Sequence, residues 1–335
     1  MLDGGDEVSA LFDRLEPTAP LAACDLIRVD GEGAYQTVRC HAKVARVLLG
    51  RSTDVSPPPG AHLVTQRGRW EDLILPPAPL RALRDLVAWI KQRDAVIGRW
   101  GARSLSGPLA LFAGPSGSGK TFAASVIAAE LTRTTGEPWV LYALDLGRIM
   151  SKYVGETEQN LNALLDALDG RRALLQIDEA DGLLGKRGEV SDARDRYANL
   201  EVSHMLSRFE RHAGPVILTT NLRTNIDPAF LRRFQLVVDF PAPDARARAR
   251  LWAALLPARA PRAEVDAETL ASTARLSGGA IHNASFYASV LAAEEAAPLG
   301  PRHLASAVWA ELNKDQRQVR RAELGDLADY LEDER

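Results

Sequence analysis

The sequence predicts an α/β core built on a parallel sheet, followed by an all-helical unit. Three observations predict it. Short apolar stretches alternate with helical patterns between about residues 108 and 240. A glycine-rich loop, Gly114 to Lys120, joins the first of those stretches to a helix. After Pro241-Ala242-Pro243 the pattern turns helical and no further strand is legible.

Each element has its own signal. Leu80, Leu83, Leu86, Val87 and Ile90 recur at helical spacing, which predicts an amphipathic helix over 79–98. Residues 108–113 read as a first strand, and the loop after it opens a helix that runs to about Thr134. A second strand follows at 139–143, a helix at about 156–168, a third strand at 173–177 and a long polar helix at about 192–212. Residues 216–220 and 235–240 make the fourth and fifth strands. These strands are near-continuous apolar runs, as expected where helices cover both faces of a sheet. Beyond them, helices are predicted at about 244–256, 266–276, 280–297 and 301–313, divided by Pro and Gly. The expected organisation is therefore a short segment 1–68, an α/β domain 69–242, a helical domain 243–313 and a charged tail 314–335. Within the first segment, only Val44 to Leu49 suggests a helix, before Pro57-Pro58-Pro59-Gly60 interrupts the chain.

Composition narrows the class. Apolar residues make up 46% and charged residues 25%, the usage of an ordinary globular chain. A net charge of −3 is the opposite of a surface built to neutralise many phosphates. Cys24 and Cys40 form no metal or redox spacing, and the six histidines form no ligand pattern. No apolar run is long enough for a membrane span, and the acidic N-terminus is unlike a signal peptide, so a cytoplasmic protein is expected.

The chemistry concentrates in a few places. Gly114-Pro115-Ser116-Gly117-Ser118-Gly119-Lys120-Thr121 fits G-x-x-x-x-G-K-[ST] between a strand and a helix. Glycines let the backbone wrap phosphates with its N–H groups turned inward, and the positive end of the following helix faces the same charge. Lys120 is placed to reach the β- and γ-phosphates of ATP, and the Thr121 hydroxyl to ligate Mg²⁺. Leu174-Leu175-Gln176-Ile177-Asp178-Glu179 is an apolar strand ending in two acids. Asp178 suits the second Mg²⁺-positioning carboxylate, and Glu179 a general base for the attacking water. Thr219-Thr220-Asn221 ends the next strand, where Asn221 could hold that water. Arg232-Arg233 closes a short helix. Either guanidinium, delivered from a neighbouring copy, could stabilise transferred phosphate, although helix C-termini also attract cations for their dipole alone. Arg246, Arg248 and Arg250 read as a solvated basic run.

Taken in order, these motifs resemble the AAA clade of AAA+ ATPases: Walker A at 114–121, Walker B at 174–179, Asn221 as sensor 1, and Asp227-Pro228-Ala229-Phe230-Leu231-Arg232-Arg233-Phe234. The resemblance covers about residues 70–313 and implies a P-loop NTPase with a five-stranded parallel sheet and a helical lid. It further implies hydrolysis of ATP with Mg²⁺ at the subunit interfaces of a homo-oligomeric ring, a hexamer. Ser151 to Glu158 resembles that clade's first pore loop, so Lys152, Tyr153 and Val154 would line a central channel, with Tyr153 gripping a polypeptide client. Gly279 and Ala280, in a segment resembling the lid loop that closes on the nucleotide, would contact the cofactor. His282 stands near the place where many relatives carry a lid arginine, and the chain lacks the longer Arg-Pro-Gly-Arg-type stretch. Arg233 is the first choice for the trans arginine and Arg232 the second. More narrowly, Asp195 to Val202, Leu218 to Arg223 and Lys43 to Gly50 resemble the single-ring AAA ATPases encoded with bacterial extracellular contractile injection systems. In that group the N-terminal region is longer, so residues 1–68 would be a remnant of an adaptor region. Two other functions stay open on the sequence: an ATP-gated scaffold whose assembly state is the output, and a DNA loader or translocase. The retained Asp178 and Glu179 weigh against the first, and the acidic balance against the second.

Overall fold

The computed structural model describes residues 14–16, 18–24, 26–30, 37–40, 44, 57–103, 106–146, 156–181, 193–221, 226, 228–263, 266–272, 274–314 and 320–331. In chain order these form α1 (Pro20–Ala23), β1 (Ile27–Asp30), β2 (Thr37–Cys40), β3 (Ala61–Leu63), α2 (Pro77–Trp100), β4 (Leu109–Ala113), α3 (Lys120–Thr135), β5 (Val140–Asp145), α4 (Glu156–Leu168), β6 (Ala173–Asp178) and α5 (Ala193–Arg211). They continue with β7 (Val216–Thr220), α6 (Pro228–Leu231), β8 (Leu236–Asp239), α7 (Ala245–Leu255), α8 (Ala267–Ser272), α9 (Gly278–Glu294) and α10 (Pro301–Asn313). Of the apolar stretch 44–49, all but Val44 lies outside the described residues.

The strand order in the main sheet is β3-β5-β6-β7-β4-β8. The five predicted strands run parallel, as read from the sequence. A sixth strand was not predicted: β3 pairs antiparallel with the edge of β5, Ala61 opposite Leu144 and Leu63 opposite Tyr142. Three residues are too few to display a period, so the strand was illegible in the sequence. It also ties part of the segment 1–68 to the sheet. Separately, β1 and β2 form a two-stranded antiparallel ribbon.

Strand periodicity divides the core in two. Leu109, Leu111, Tyr142, Leu144, Leu175, Ile177, Val216 and Leu218 face α4 and α5, where Leu161, Leu164, Leu165, Met205 and Phe209 cover them. Their alternates, Ala110, Phe112, Leu141, Leu174, Ile217 and Val238, face α2 and α3, against Leu83, Leu86, Val126, Ile127 and Leu131. Burying each such leucine stabilises the fold by roughly 1.5–3 kcal/mol relative to leaving it exposed. The helix α2 stops where Gly101 takes the left-handed conformation at its C-cap.

A third core belongs to the helices after β8. Trp252, Leu256, Leu270, Ile281, Ala284, Leu304 and Val308 pack together, joined by Leu324 and Leu327 from a 3₁₀ segment, Arg321–Tyr330. The charged tail is thus partly amphipathic, and it completes the helical unit. Arg248 corrects another expectation. Its guanidinium donates to the Pro243 carbonyl at 2.9 Å and the Ala271 carbonyl at 2.9 Å, so it staples α7 to α8 and is not part of a solvated run.

The start of α10 contains a pH-sensitive cap. The Gly300 N–H donates to His303 Nδ1 at 3.0 Å, and Nε2 of the same ring lies 3.0 Å from Glu295 Oε2. An Nδ1 that accepts requires the neutral ring, with the proton on Nε2 donated to Glu295. Burial, then the charge of Arg302, pushes the ring below the ordinary value of 6.5. The unfolded chain therefore takes up this proton first as pH falls. Stability fully present above 6.5 is lost as pH drops through the lower folded value. The expected result is a smaller drop in Tm between about pH 7.5 and about pH 5.5 for His303→Gln than for the wild type. Equal drops in thermal melts would show that His303 is not the titrating cap.

Candidate nucleotide site

The carboxyl ends of β4, β6 and β7 meet where the sheet changes winding direction, because β4 has its sequence-distant partners β7 and β8 on its two sides. Open α/β sheets hold their ligands at such a point.

The phosphate loop grows out of β4. Gly114 donates its N–H to the Thr220 carbonyl at 3.1 Å, which seats the loop against the end of β7. A Cβ at Gly114 would stand 2.1 Å from the Phe240 carbonyl oxygen, so no other residue fits. Gly117 takes a left-handed φ of 70°, and a Cβ there would meet Ser277 Oγ at 2.6 Å. Its carbonyl accepts from the Gly279 N–H at 2.9 Å, so the first turn of α9 sits directly on the loop. Ser277 caps that turn by accepting from the Ala280 N–H at 3.2 Å. Within the loop the Ser118 hydroxyl is buried without a hydrogen-bond partner. Pro115, Ser116 and Gly117 are exposed, at the mouth of the loop. Gly119 precedes α3 in the left-handed conformation, with φ of 95°.

Lys120 is buried and fully partnered. Its ammonium donates to the Gly114 carbonyl at 2.6 Å, the Pro115 carbonyl at 3.0 Å and Asn221 Oδ1 at 2.8 Å. Burial pushes its pKa down, while the charges of Asp178 and Asp181 pull it back up. The site thus holds a desolvated cation against two acids, beside N–H groups of a glycine loop. That arrangement matches a polyphosphate with its divalent ion, and the unpartnered Ser118 hydroxyl adds a donor without a present acceptor.

Opposite the loop, Asp178 Oδ1 accepts from Gln176 Nε2 at 2.5 Å and from the Thr219 hydroxyl at 3.0 Å. The same Gln176 Nε2 donates to Thr121 Oγ1 at 2.8 Å. Thr121 and Asp178, predicted to hold Mg²⁺ together, are thereby brought to one place. Asp181 accepts from the Thr220 hydroxyl and, at 3.2 Å, from the Asn221 N–H. It fixes the end of β7 and so aims Asn221. Sequence reasoning gave Asp181 and Thr220 no role; the acid-x-x-acid spacing of Asp178 and Asp181 was the signal that could have raised it. Glu179 is exposed and holds φ of 54°, a left-handed conformation that strains a non-glycine residue by ~1–3 kcal/mol. The Ala180 N–H donates to the Thr219 carbonyl at 2.9 Å, which pins the chain just after the strained residue.

The arginines differ. Arg233 donates to both carboxylate oxygens of Glu210, at 3.0 and 3.1 Å, whereas Arg232 is exposed. Neither lies against Lys120 in its own chain among the contacts described. Between the loop and the helical unit, Pro115, Pro243, Arg248, Arg275 and Ser277 line a cleft of about 570 Å³. His282 is exposed on α9. Lys152, Tyr153 and Val154 lie outside the described residues.

The chain is similar to several known proteins. A family model described as the ATPase family associated with various cellular activities (AAA) matches residues 110–242. An uncharacterized AAA family ATPase y4kL of Sinorhizobium fredii is 34% identical over 180 residues, 52% of this chain and 50% of that protein. Vacuolar protein sorting-associated protein 4A of Homo sapiens is 30% identical over 42% of this chain and 32% of its own length. The cell division cycle protein 48 homolog of Archaeoglobus fulgidus is 28% identical over 50% of this chain and 22% of its own. The chain thus spans half or less of the length of these relatives. In structure, the crystal structure of the FIGL-1 AAA domain overlays with a TM-score of 0.55 at 20% identity, covering 81% of this chain and 90% of that one, which shows a common fold. Residues 110–242, with their loop, acids and strand order, match the AAA ATPase family model and are arranged on a P-loop NTPase fold.

Proposed function

We propose that the chain hydrolyses ATP to ADP and phosphate with Mg²⁺, at the interfaces of a homo-oligomeric, hexameric ring that remodels or threads a protein client in the cytoplasm. The observation that carries the reading is the convergence of Lys120, Thr121, Asp178 and Asn221 at the end of the sheet. In this mechanism the loop from Gly114 to Gly119 wraps the phosphates. Lys120 gives up its carbonyl partners for phosphate oxygens, a stronger, charge-assisted exchange. Thr121 and Asp178 hold Mg²⁺, which when bound neutralises phosphate charge. Glu179 takes the proton of the attacking water, and Asn221 orients that water. Gly279 and Ala280 close over the nucleotide, and Arg233, or else Arg232, completes the neighbour's site. Lys152, Tyr153 and Val154 grip the client in the channel.

The relatives named for vacuolar sorting and cell division support remodelling as the class of work. The narrower setting, a contractile injection particle as the client or destination, rests on the segments 43–50, 195–202 and 218–223 alone. The ring is tested by ATPase rate against protein concentration. Specific activity is expected to rise with concentration and then level off. A flat rate would leave each chain hydrolysing alone, and no phosphate release at any concentration would remove the enzyme.

A further inference from the structure

One buried side chain near the site has no assigned work. Gln176 sits in the middle of β6 with 0% of its surface exposed, between the apolar Leu175 and Ile177. A buried amide destabilises a fold by about 1–3 kcal/mol for each group left without a hydrogen bond. Gln176 does leave one: its Oε1 is buried and unpartnered. Its Nε2 is fully used, donating to Thr121 Oγ1 at 2.8 Å and to Asp178 Oδ1 at 2.5 Å. The orientation of the amide is forced, since a carboxylate only accepts and an Oε1 turned toward Asp178 would set two acceptors against each other.

Strand geometry explains the reach. Gln176 and Asp178 are two residues apart and so share a face of β6. That is the face of Leu174, which packs toward α2 and α3, and Thr121 lies in the first turn of α3. One amide nitrogen therefore bridges strand and helix at the two residues that would hold the divalent ion. It occupies one lone pair on Thr121 Oγ1. With Thr219 it places two hydrogen bonds on Oδ1 of Asp178, which fixes the carboxylate from one side.

We infer that Gln176 is a positioning residue that sets the Thr121–Asp178 spacing and thereby the affinity of the site for Mg²⁺. This rests on the proposed Mg²⁺·ATP reading. Partners that orient metal ligands from behind typically contribute 10–100-fold to metal affinity.

The test is a Mg²⁺ titration of fluorescent ATP-analogue binding, in wild type, Gln176→Leu and Gln176→Met, with affinity in excess EDTA measured alongside. Circular dichroism melts check that each variant folds, and the apolar replacements suit the apolar strand around them. The expected result is a Mg²⁺ midpoint raised about 10-fold in both variants, with EDTA affinity within about two-fold of wild type and kcat restored by excess Mg²⁺. A folded variant of either kind whose midpoint stays within about two-fold of wild type overturns the inference alone. Nucleotide binding by the wild type that ignores Mg²⁺ overturns the functional reading, and the inference with it.

Discussion

Glu179→Gln is expected to lower steady-state ATP hydrolysis by about 10²- to 10⁴-fold while leaving nucleotide affinity near that of the wild type. The substitution keeps size and hydrogen-bonding reach but removes the carboxylate proposed to take the proton from water. It also leaves the backbone as it was, so the left-handed φ of 54° is held by the same bond from Ala180 to Thr219. That makes the variant a clean probe, because a conformational failure would show as lost binding. Phosphate release and equilibrium binding of a fluorescent nucleotide measure the two quantities. A variant that hydrolyses within about threefold of wild type would remove Glu179 from the chemistry.

Removing the proposed trans arginine should have an effect of similar size. Arg233→Ala is expected to lower the rate by about 10³-fold, in the range known for such groups, and Arg232→Ala by much less. The pairing with Glu210 does not disqualify Arg233. Both side chains are about one third exposed, at 36% and 30%, and such a pair is worth roughly 0–1 kcal/mol, less than a guanidinium gains on a polyphosphate. Glu210 would hold the side chain extended until a neighbour's phosphates compete for it. Doping wild type with Arg233→Ala at constant total concentration discriminates further. Activity should fall more steeply than the wild-type fraction. A linear fall means that each chain uses only its own residues. The reverse ranking of the two single variants would move the role to Arg232.

How much of this was legible beforehand follows from physical scale. The P-loop, Asp178, Glu179 and Asn221 were readable because each requires particular residue types at the end of an apolar strand. The five parallel strands were readable because they are continuous apolar runs, and their boundaries shifted by only a residue or two. What escaped were features without local periodicity or a fixed spacing. The three residues of β3 derive their conformation from the β5 edge. Arg248 is stapled by carbonyls that tertiary packing brings to it, and no charge pattern foretells that. Gln176 was visible as the one polar letter between apolar neighbours of β6, but its partner Thr121 lies 55 positions away. Pairings across such a distance are decided by topology. Lys120 and Asn221 are 101 positions apart, and their motifs aimed both at the same phosphate; the hydrogen bond between them is a property of the folded chain.

One contact described above has a mechanical consequence. The bond from Gly279 to Gly117 runs main chain to main chain. A shift of the phosphate-loop backbone would be felt at the start of α9 through this bond, whatever side chains surround it. The link between loop and helical unit is therefore a peptide plane, the same for any residue type placed there. At Gly117 itself a Cβ would crowd Ser277 Oγ at 2.6 Å and strain the φ of 70°.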